Sequence, residues 1–195
     1  MNFDRIAWCY DPLKRLVFGQ KLDQAAKFHL SEIKPNSSVL VIGGGTGEIL
    51  EALPKETEVI YVEESAKMIA KARRHRQSNI LWVNKNFLNY HLPRPVDHVV
   101  CPFILDLFDD DTLQGMIVGI KEALSEHGDL IVTDFNQKNK FLLASMLLFF
   151  RITSNVPAMK LPSIHEKLLE AKFNPIKSAS FMGDFVFSTV YTIHK

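Results

Sequence analysis

The fold class predicted by this sequence is α/β: a mostly parallel sheet with helices on both faces. Three observations predict it. Short apolar runs rich in β-branched residues recur along the chain, separated by segments with helical periodicity. The first run, Val39–Ile42, opens into a glycine loop, Gly43-Gly44-Gly45-Thr46-Gly47. The next, Val59–Val62, ends in an acid, Glu63. Parallel sheets build nucleoside sites in this way: the glycines let bare backbone approach the ligand, and an acid at the neighbouring strand tip accepts bonds from ribose hydroxyls.

Taken in order, residues 3–30 carry a helical pattern, with Leu13, Leu16, Val17, Leu22, Ala25, Ala26 and Phe28 near one face and Pro12 suited to a first turn. A loop with Pro35 follows. Strands are predicted at Val39–Ile42, Val59–Val62, Ile80–Val83, His98–Cys101 and Asp129–Thr133. Helices are predicted between them at Thr46–Leu53, Ala66–His75 and Asp111–Ser125. The chain then closes on Ile176–Phe181 and Phe185–Ile193, two strand-like runs separated only by Met182-Gly183-Asp184. So short a connection requires an antiparallel hairpin. One domain over 1–195 is expected, with an N-terminal helical cap at 1–34 and a helical insertion at 136–160.

Bulk properties narrow the function classes. The net charge of +1 supplies no strong field for holding nucleic acid through its phosphates, so no nucleic-acid partner is expected. Two cysteines, Cys9 and Cys101, make no disulfide framework, and the opening residues carry Asp4 and Arg5 without an apolar signal region. A cytoplasmic location is therefore expected. The most apolar stretch, Phe141–Phe150, reaches ~15 Å as a helix. That is half of the ~30 Å a bilayer core demands. The basic run Lys71–Arg76 ends a helix, where cations suit the dipole, and reads as a solvated face. The histidines show no metal-ligand spacing, and no metal is expected.

Glycine spacing sharpens the ligand. A dinucleotide loop needs G-x-G-x-x-G, but here the third position falls on Glu48, and the glycines read G-x-G-x-G. With Glu63 sixteen positions after Gly47, the pattern resembles motif I and its partner acid in the class I S-adenosylmethionine-dependent methyltransferases. VLVIGGGTG is similar to the family's VLDIGCGTG. YVEESAKMIAKAR, with Met68, is similar to its second-strand segment, and LSEHGDLIVTDF to its fifth. The resemblance implies a Rossmann-like seven-stranded methyltransferase sheet of order 3-2-1-4-5-7-6 with strand seven antiparallel. It also implies S-adenosylmethionine as cofactor and S-adenosylhomocysteine as product. The cofactor-binding residues it implies are Gly43, Gly44, Gly45, Gly47, Glu63, Glu64, Asn86, Phe87, Cys101 and Tyr10. Asn86 stands where an Asp often contacts the adenine amino group, and its carbonyl would accept that bond. Cys101, ending the fourth strand, would sit near the methionine arm. The sequence departs from the family at Val41, which replaces the acid inside motif I.

The opening FDRIAWCYD, Phe3–Asp11, resembles that of the ubiquinone/menaquinone C-methyltransferase-like small-molecule group, in which this segment folds over the cofactor. A small hydrophobic or aromatic acceptor is expected. The 141–151 apolar helix is expected as core packing, as a homodimer contact, or as a lid meeting a membrane surface. Tyr10 and Asp106 are candidate catalytic residues, with Asp134, His91 and His165 as further candidate bases. A non-catalytic sensor or scaffold that binds the same cofactor is the alternative. The GGGTG loop is also similar to the GGGDG loop of aminopropyltransferases, a minor alternative. A nucleic-acid methyltransferase is set aside, because Cys101-Pro102-Phe103-Ile104 is neither Pro-Cys nor Asn/Asp-Pro-Pro-Tyr.

Overall fold

The structure, a computed structural model, describes residues 20–75, 78–136 and 163–193. Seven strands form one sheet: β1 (Ser38–Ile42), β2 (Glu58–Val62), β3 (Ile80–Val83), β4 (Val96–Pro102), β5 (Leu124–Phe135), β6 (Phe173–Phe181) and β7 (Val186–Ile193). Their order is β3-β2-β1-β4-β5-β7-β6, as expected. The first five are mutually parallel, and β7 runs antiparallel to both β5 and β6. Among the described residues, four α-helices accompany the sheet: α1 (Lys21–Lys27), α2 (Ala66–Ala72), α3 (Asp110–Ala123) and α4 (Ile164–Glu170).

Side-chain alternation along the strands divides the core in two. Leu40, Ile42, Val99, Cys101, Leu130 and Val132 face the buried stripe of α3, formed by Leu113, Met116, Ile117 and Ile120, and also α4. Val39, Val41, Tyr61, Val100 and Ile131 face the other way, onto Ala26 of α1, Ala72 of α2, and Ile49 and Leu50. Both faces of the central strands are therefore dry, and β1 is buried at every position. This explains why that strand reads as a continuous apolar run rather than an alternating one.

Helix boundaries follow their caps. Ser65 accepts from the Met68 N–H to open α2, and Asp109 accepts from the Thr112 N–H to open α3. The segment after the glycine loop, predicted as a helix over Thr46–Leu53, is instead a 3₁₀ turn, Glu48–Ala52. Gly47 must take a left-handed conformation at one end, and Pro54 drives Leu53 into an extended one at the other. Too few residues remain between them for an α-helix. At the start of β5, Val96 pairs with Leu124 but His98 pairs with Asp129, so Ser125–Gly128 bulge out of the ladder. Pro175 is tolerated because β6 is an edge strand, and the register shifts beside it.

Among the basic residues 71–75, the Arg73 guanidinium lies 5.6 Å from the Trp82 ring centroid, and His75 contacts Glu51 at 2.7 Å. Among the described residues no helix is long and apolar enough to cross a membrane. The 3–11 segment with Tyr10, and the apolar 141–151 helix, lie outside the described residues.

Candidate functional site

The carboxyl ends of β1, β2 and β4 open onto a cleft enclosing about 1000 Å³, its open mouth included. Its placement follows from the sheet register. Ile42 lies opposite Val62, so the glycine loop leaving β1 and the acid leaving β2 emerge side by side. The Gly45 N–H donates to Glu63 Oε2 at 3.1 Å, and the Ser65 N–H donates to Oε1 at 2.9 Å. Tyr61, fully buried on the sheet below, donates its hydroxyl to the Gly45 carbonyl at 2.9 Å. The loop is thus held from both ends of one peptide-bearing residue. Behind it, Asn84 Nδ2 donates to the carbonyls of Glu63 (3.0 Å) and Glu64 (2.8 Å), fixing the tip of β2.

Glu63 is only 9 % exposed. Burial pushes its carboxyl above the ordinary range, while the N–H groups of Ser65 and Gly45 pull it down. The Glu64 N–H adds a smaller pull in the same direction.

The glycines have different duties. Gly45 (φ +59°) has nothing within 4 Å of where a Cβ would stand, so its bare face is cleft surface. Gly47 (φ +86°) packs on α2: a Cβ there would sit 2.6 Å from Ala72 Cβ and 2.7 Å from its Cα. Gly44 turns inward, where a Cβ would meet Tyr61 Oη at 2.5 Å. Gly43 lines the cleft beside Ile104.

Of the residues expected at the cofactor site, Gly43, Gly45, Glu63, Glu64, Asn86 and Phe87 line the cleft together. Gly44 and Gly47 shape the loop from behind. Cys101 does not line the cleft: it is fully buried among Val99, Leu130 and α3, and burial pushes its thiol far up. Asn86 is the N-cap of a 3₁₀ turn, Phe87–Asn89, and its Oδ1 accepts from the Leu88 N–H at 2.9 Å. That bond takes one lone pair of the carbonyl and leaves the other. Tyr10 lies outside the described residues.

Sequence reasoning missed most of the apolar wall: Phe103, Ile104, Leu107, Phe108 and Met116. Met116 comes from the middle of α3, where it reads as ordinary core. The 103–108 loop offered one signal, a cluster of large apolar residues just past a strand end.

Asp106 sits beneath that loop rather than in the cleft lining. Asp134, at the end of β5, accepts from the N–H groups of Leu105 (3.0 Å) and Asp106 (3.2 Å) and, through its other oxygen, from Phe135 (2.9 Å). Both carboxyls are buried, and Asp106 Oδ1 has no hydrogen-bond partner among the described residues. Burial pushes Asp106 up to about 6 and Asp134 well above the ordinary range, with the Asp106 charge adding to the latter. The pair is built to hold a proton and to pin the loop. His165 Nδ1 lies 3.0 Å from the Tyr191 hydroxyl, and neither His165 nor His91 lines the cleft.

A family described as a methyltransferase domain matches residues 39–128, which span β1 to the start of β5. An uncharacterised methyltransferase of Geobacillus sp. (strain WCH70) is 29% identical over 145 residues, covering 72% of this chain. The chain in turn spans 66% of that relative's length, just under two thirds. Among solved structures, the N-methyltransferase NodS from Bradyrhizobium japonicum WM9 in complex with S-adenosyl-L-homocysteine superposes with a TM-score of 0.70 at 15% identity, over 95% of this chain and 98% of its own. The complex between the Haloferax volcanii Trm112 methyltransferase activator and a putative methyltransferase matches with a TM-score of 0.75 at 15% identity, over 100% and 98% of the two chains. At such identities the structures show the fold. The sheet order and the matched domain are those of a methyltransferase-type fold. The chain is thus similar to methyltransferases over residues 39–128 and shares their fold.

Two outcomes follow from this geometry. Gly47→Ala should lower stability by about 2–4 kcal/mol, because a left-handed non-glycine residue and a clash with α2 backbone coincide. Gly45→Ala meets only the conformational cost, about 1 kcal/mol. Urea midpoints of the two variants check the contrast.

The Asp106–Asp134 pair sets a pH dependence. A carboxyl raised in the folded state holds its proton longer than in the unfolded one, so stability falls as pH rises from about 4 through about 6, and Asp134, also raised, adds to the fall. Asp106→Asn should therefore gain stability on the parent between pH 4.5 and pH 7, on the order of 1–3 kcal/mol. Urea unfolding at both pH values measures it, and a constant difference would contradict the assignment.

Proposed function

We propose that the protein is an S-adenosylmethionine-dependent methyltransferase for a small acceptor with a hydrophobic or aromatic body. The observation that carries the reading is the Glu63 carboxylate: buried, aimed by two N–H groups, and adjoining the bare backbone of Gly45 in one cleft. A fixed carboxylate at the mouth of a cleft suits the two vicinal hydroxyls of a ribose. The empty space over Gly45 is the close approach a nucleoside needs. NodS, of the same fold, was crystallised with S-adenosyl-L-homocysteine, the class of ligand assigned here.

On this reading, Gly43 and Gly45 lie under the nucleoside, Glu63 holds the sugar, and Met68 and Phe87 flank the base. When bound, the cofactor supplies an electrophilic methyl carbon on a sulfonium. The chain's part is positional. Methyl transfer is an in-line displacement, so its rate depends on holding the acceptor atom near the methyl and keeping water away. Phe103, Ile104, Leu107, Phe108 and Met116 make a wall that would bury an apolar body and exclude water. Asp134, through its bonds to the Leu105 and Asp106 N–H groups, holds that wall's loop and is a positioning residue. Tyr10 and the 141–151 segment are proposed as the acceptor's cover.

Calorimetry should show binding of S-adenosylmethionine and S-adenosylhomocysteine and none of NAD. Glu63→Ala should weaken both by about 100-fold, the loss of two charge-assisted hydrogen bonds. Unchanged affinity in a folded Glu63→Ala protein would overturn the reading. Methyl turnover across phenols, quinols and amines would then identify the acceptor class.

A further inference from the structure

We infer that Ile104 is a specificity-determining residue that sorts ligands by the substituent on the 5′ carbon of the nucleoside. Its side chain stands over Gly43, so an arm that continues past the sugar has to move it. The inference rests on the reading of the cleft as a nucleoside site.

The glycine loop is open at one residue and covered at another. Nothing stands within 4 Å of where a Cβ would project from Gly45. From Gly43 a Cβ would meet Ile104 Cγ1 at 2.7 Å, Cδ1 at 2.8 Å and Cβ at 3.1 Å. Glycine at 43 therefore makes room for a side chain of the protein itself. That side chain is branched at Cβ and stiff about χ1. The backbone on either side of it is tied to β5: the Phe103 N–H donates to the Thr133 carbonyl at 2.7 Å, and the Leu105 N–H to Asp134 at 3.0 Å.

The residue before it explains how Ile104 comes to lie there. Val99 and Cys101 face the α3 core, and alternation would send Phe103 the same way. Phe103 instead takes a left-handed conformation (φ +54°), an unfavourable one for a bulky residue. Its ring packs on the α1 side, 5.0 Å from the Phe135 ring between centroids, and Ile104 is delivered over the glycine loop.

Strand order gives the direction of the ligand. The sheet runs β3-β2-β1-β4 at this end. On the proposed reading the base lies by Phe87, past the end of β3, and the sugar by Glu63 at the tip of β2. The 5′ side of the sugar, away from the base, then points toward β1 and β4, where Gly43 and Ile104 stand. A nucleoside that ends at its 5′ hydroxyl leaves Ile104 in place. One that carries a homocysteine arm displaces the side chain, and its affinity is reduced by the free energy of that displacement.

The test is calorimetric titration of the full chain with adenosine and with S-adenosylhomocysteine, in the parent protein, Ile104→Val and Ile104→Ala. Ile104→Ala should tighten S-adenosylhomocysteine by about fivefold or more and leave adenosine within about twofold, with Ile104→Val between. Ile104→Val removes a single methyl and decides the question alone if the alanine variant does not fold. A second measurement checks the contact itself: Gly43→Ala should lower the urea midpoint less in the Ile104→Ala background than in the parent. Unchanged or weaker binding of S-adenosylhomocysteine in the folded variants, an equal gain for adenosine, or additive midpoints would overturn the inference and leave the nucleoside reading intact. Binding of neither ligand by the parent would overturn both.

Discussion

One carboxylate organises this end of the molecule. Glu63 accepts the N–H of Gly45 across the gap between β1 and β2, and Tyr61 donates to the carbonyl of the same glycine. A glycine loop has no side chains to hold its own shape, so its conformation must be imposed from neighbouring elements. Here β2 imposes it, with the acid at its tip and the phenol two residues earlier. Because strand residues alternate, Tyr61 and Glu63 are placed on the same side of β2. The parallel register of Ile42 opposite Val62 brings both within reach of the loop. The cleft exists because these partners match in register, not because any one residue is unusual.

Such an arrangement has a cost. Burying a carboxylate raises its proton affinity, and the two N–H donors offset only part of that. A ligand with two hydroxyl donors would complete the hydrogen bonding and stabilise the charged form. The same logic recurs at the Asp106–Asp134 pair, with the opposite resolution. Three N–H groups bond Asp134 and tie it to the 103–108 loop, while Asp106 Oδ1 keeps no partner among the described residues and burial favours a proton on the pair. On the proposed reading, Glu63 faces outward for a ligand, and the Asp106–Asp134 pair faces inward for the frame.

Much of the fold was legible because its signals are local. Buried parallel strands must be apolar on both faces, so β1 and β2 stand out in the sequence, and Met182-Gly183-Asp184 leaves no room for anything but a hairpin. The glycines, Glu63, Asn86 and Phe87 were legible for the same reason: each belongs to a short pattern at a strand end. The apolar wall was not. Met116 and Leu107 join the cleft only through the packing of α3 and the β4 loop against the sheet, and periodicity assigns such residues to the core whichever surface they meet. Cys101 was misplaced by a related ambiguity. A strand residue points to one face or the other by alternation, and Cys101 shares the face of Val99, toward the α3 core.

The valine inside the glycine motif follows the same partition of faces. Val41 lies on the side of β1 opposite Ile42, completely buried with Tyr61, Leu50 and Val100. An acid there would need its own partners in an apolar cluster, and a lone buried charge is expensive. The valine instead closes that cluster and supports the Tyr61 ring whose hydroxyl sets Gly45. On the proposed reading, the part of the ligand beyond the ribose then meets bare backbone at Gly43 and the apolar side chains of the 103–108 loop. Binding energy is thereby concentrated at the sugar, where Glu63 stands, and the far end of the cleft is left open to shape and hydrophobicity as its means of selecting what enters.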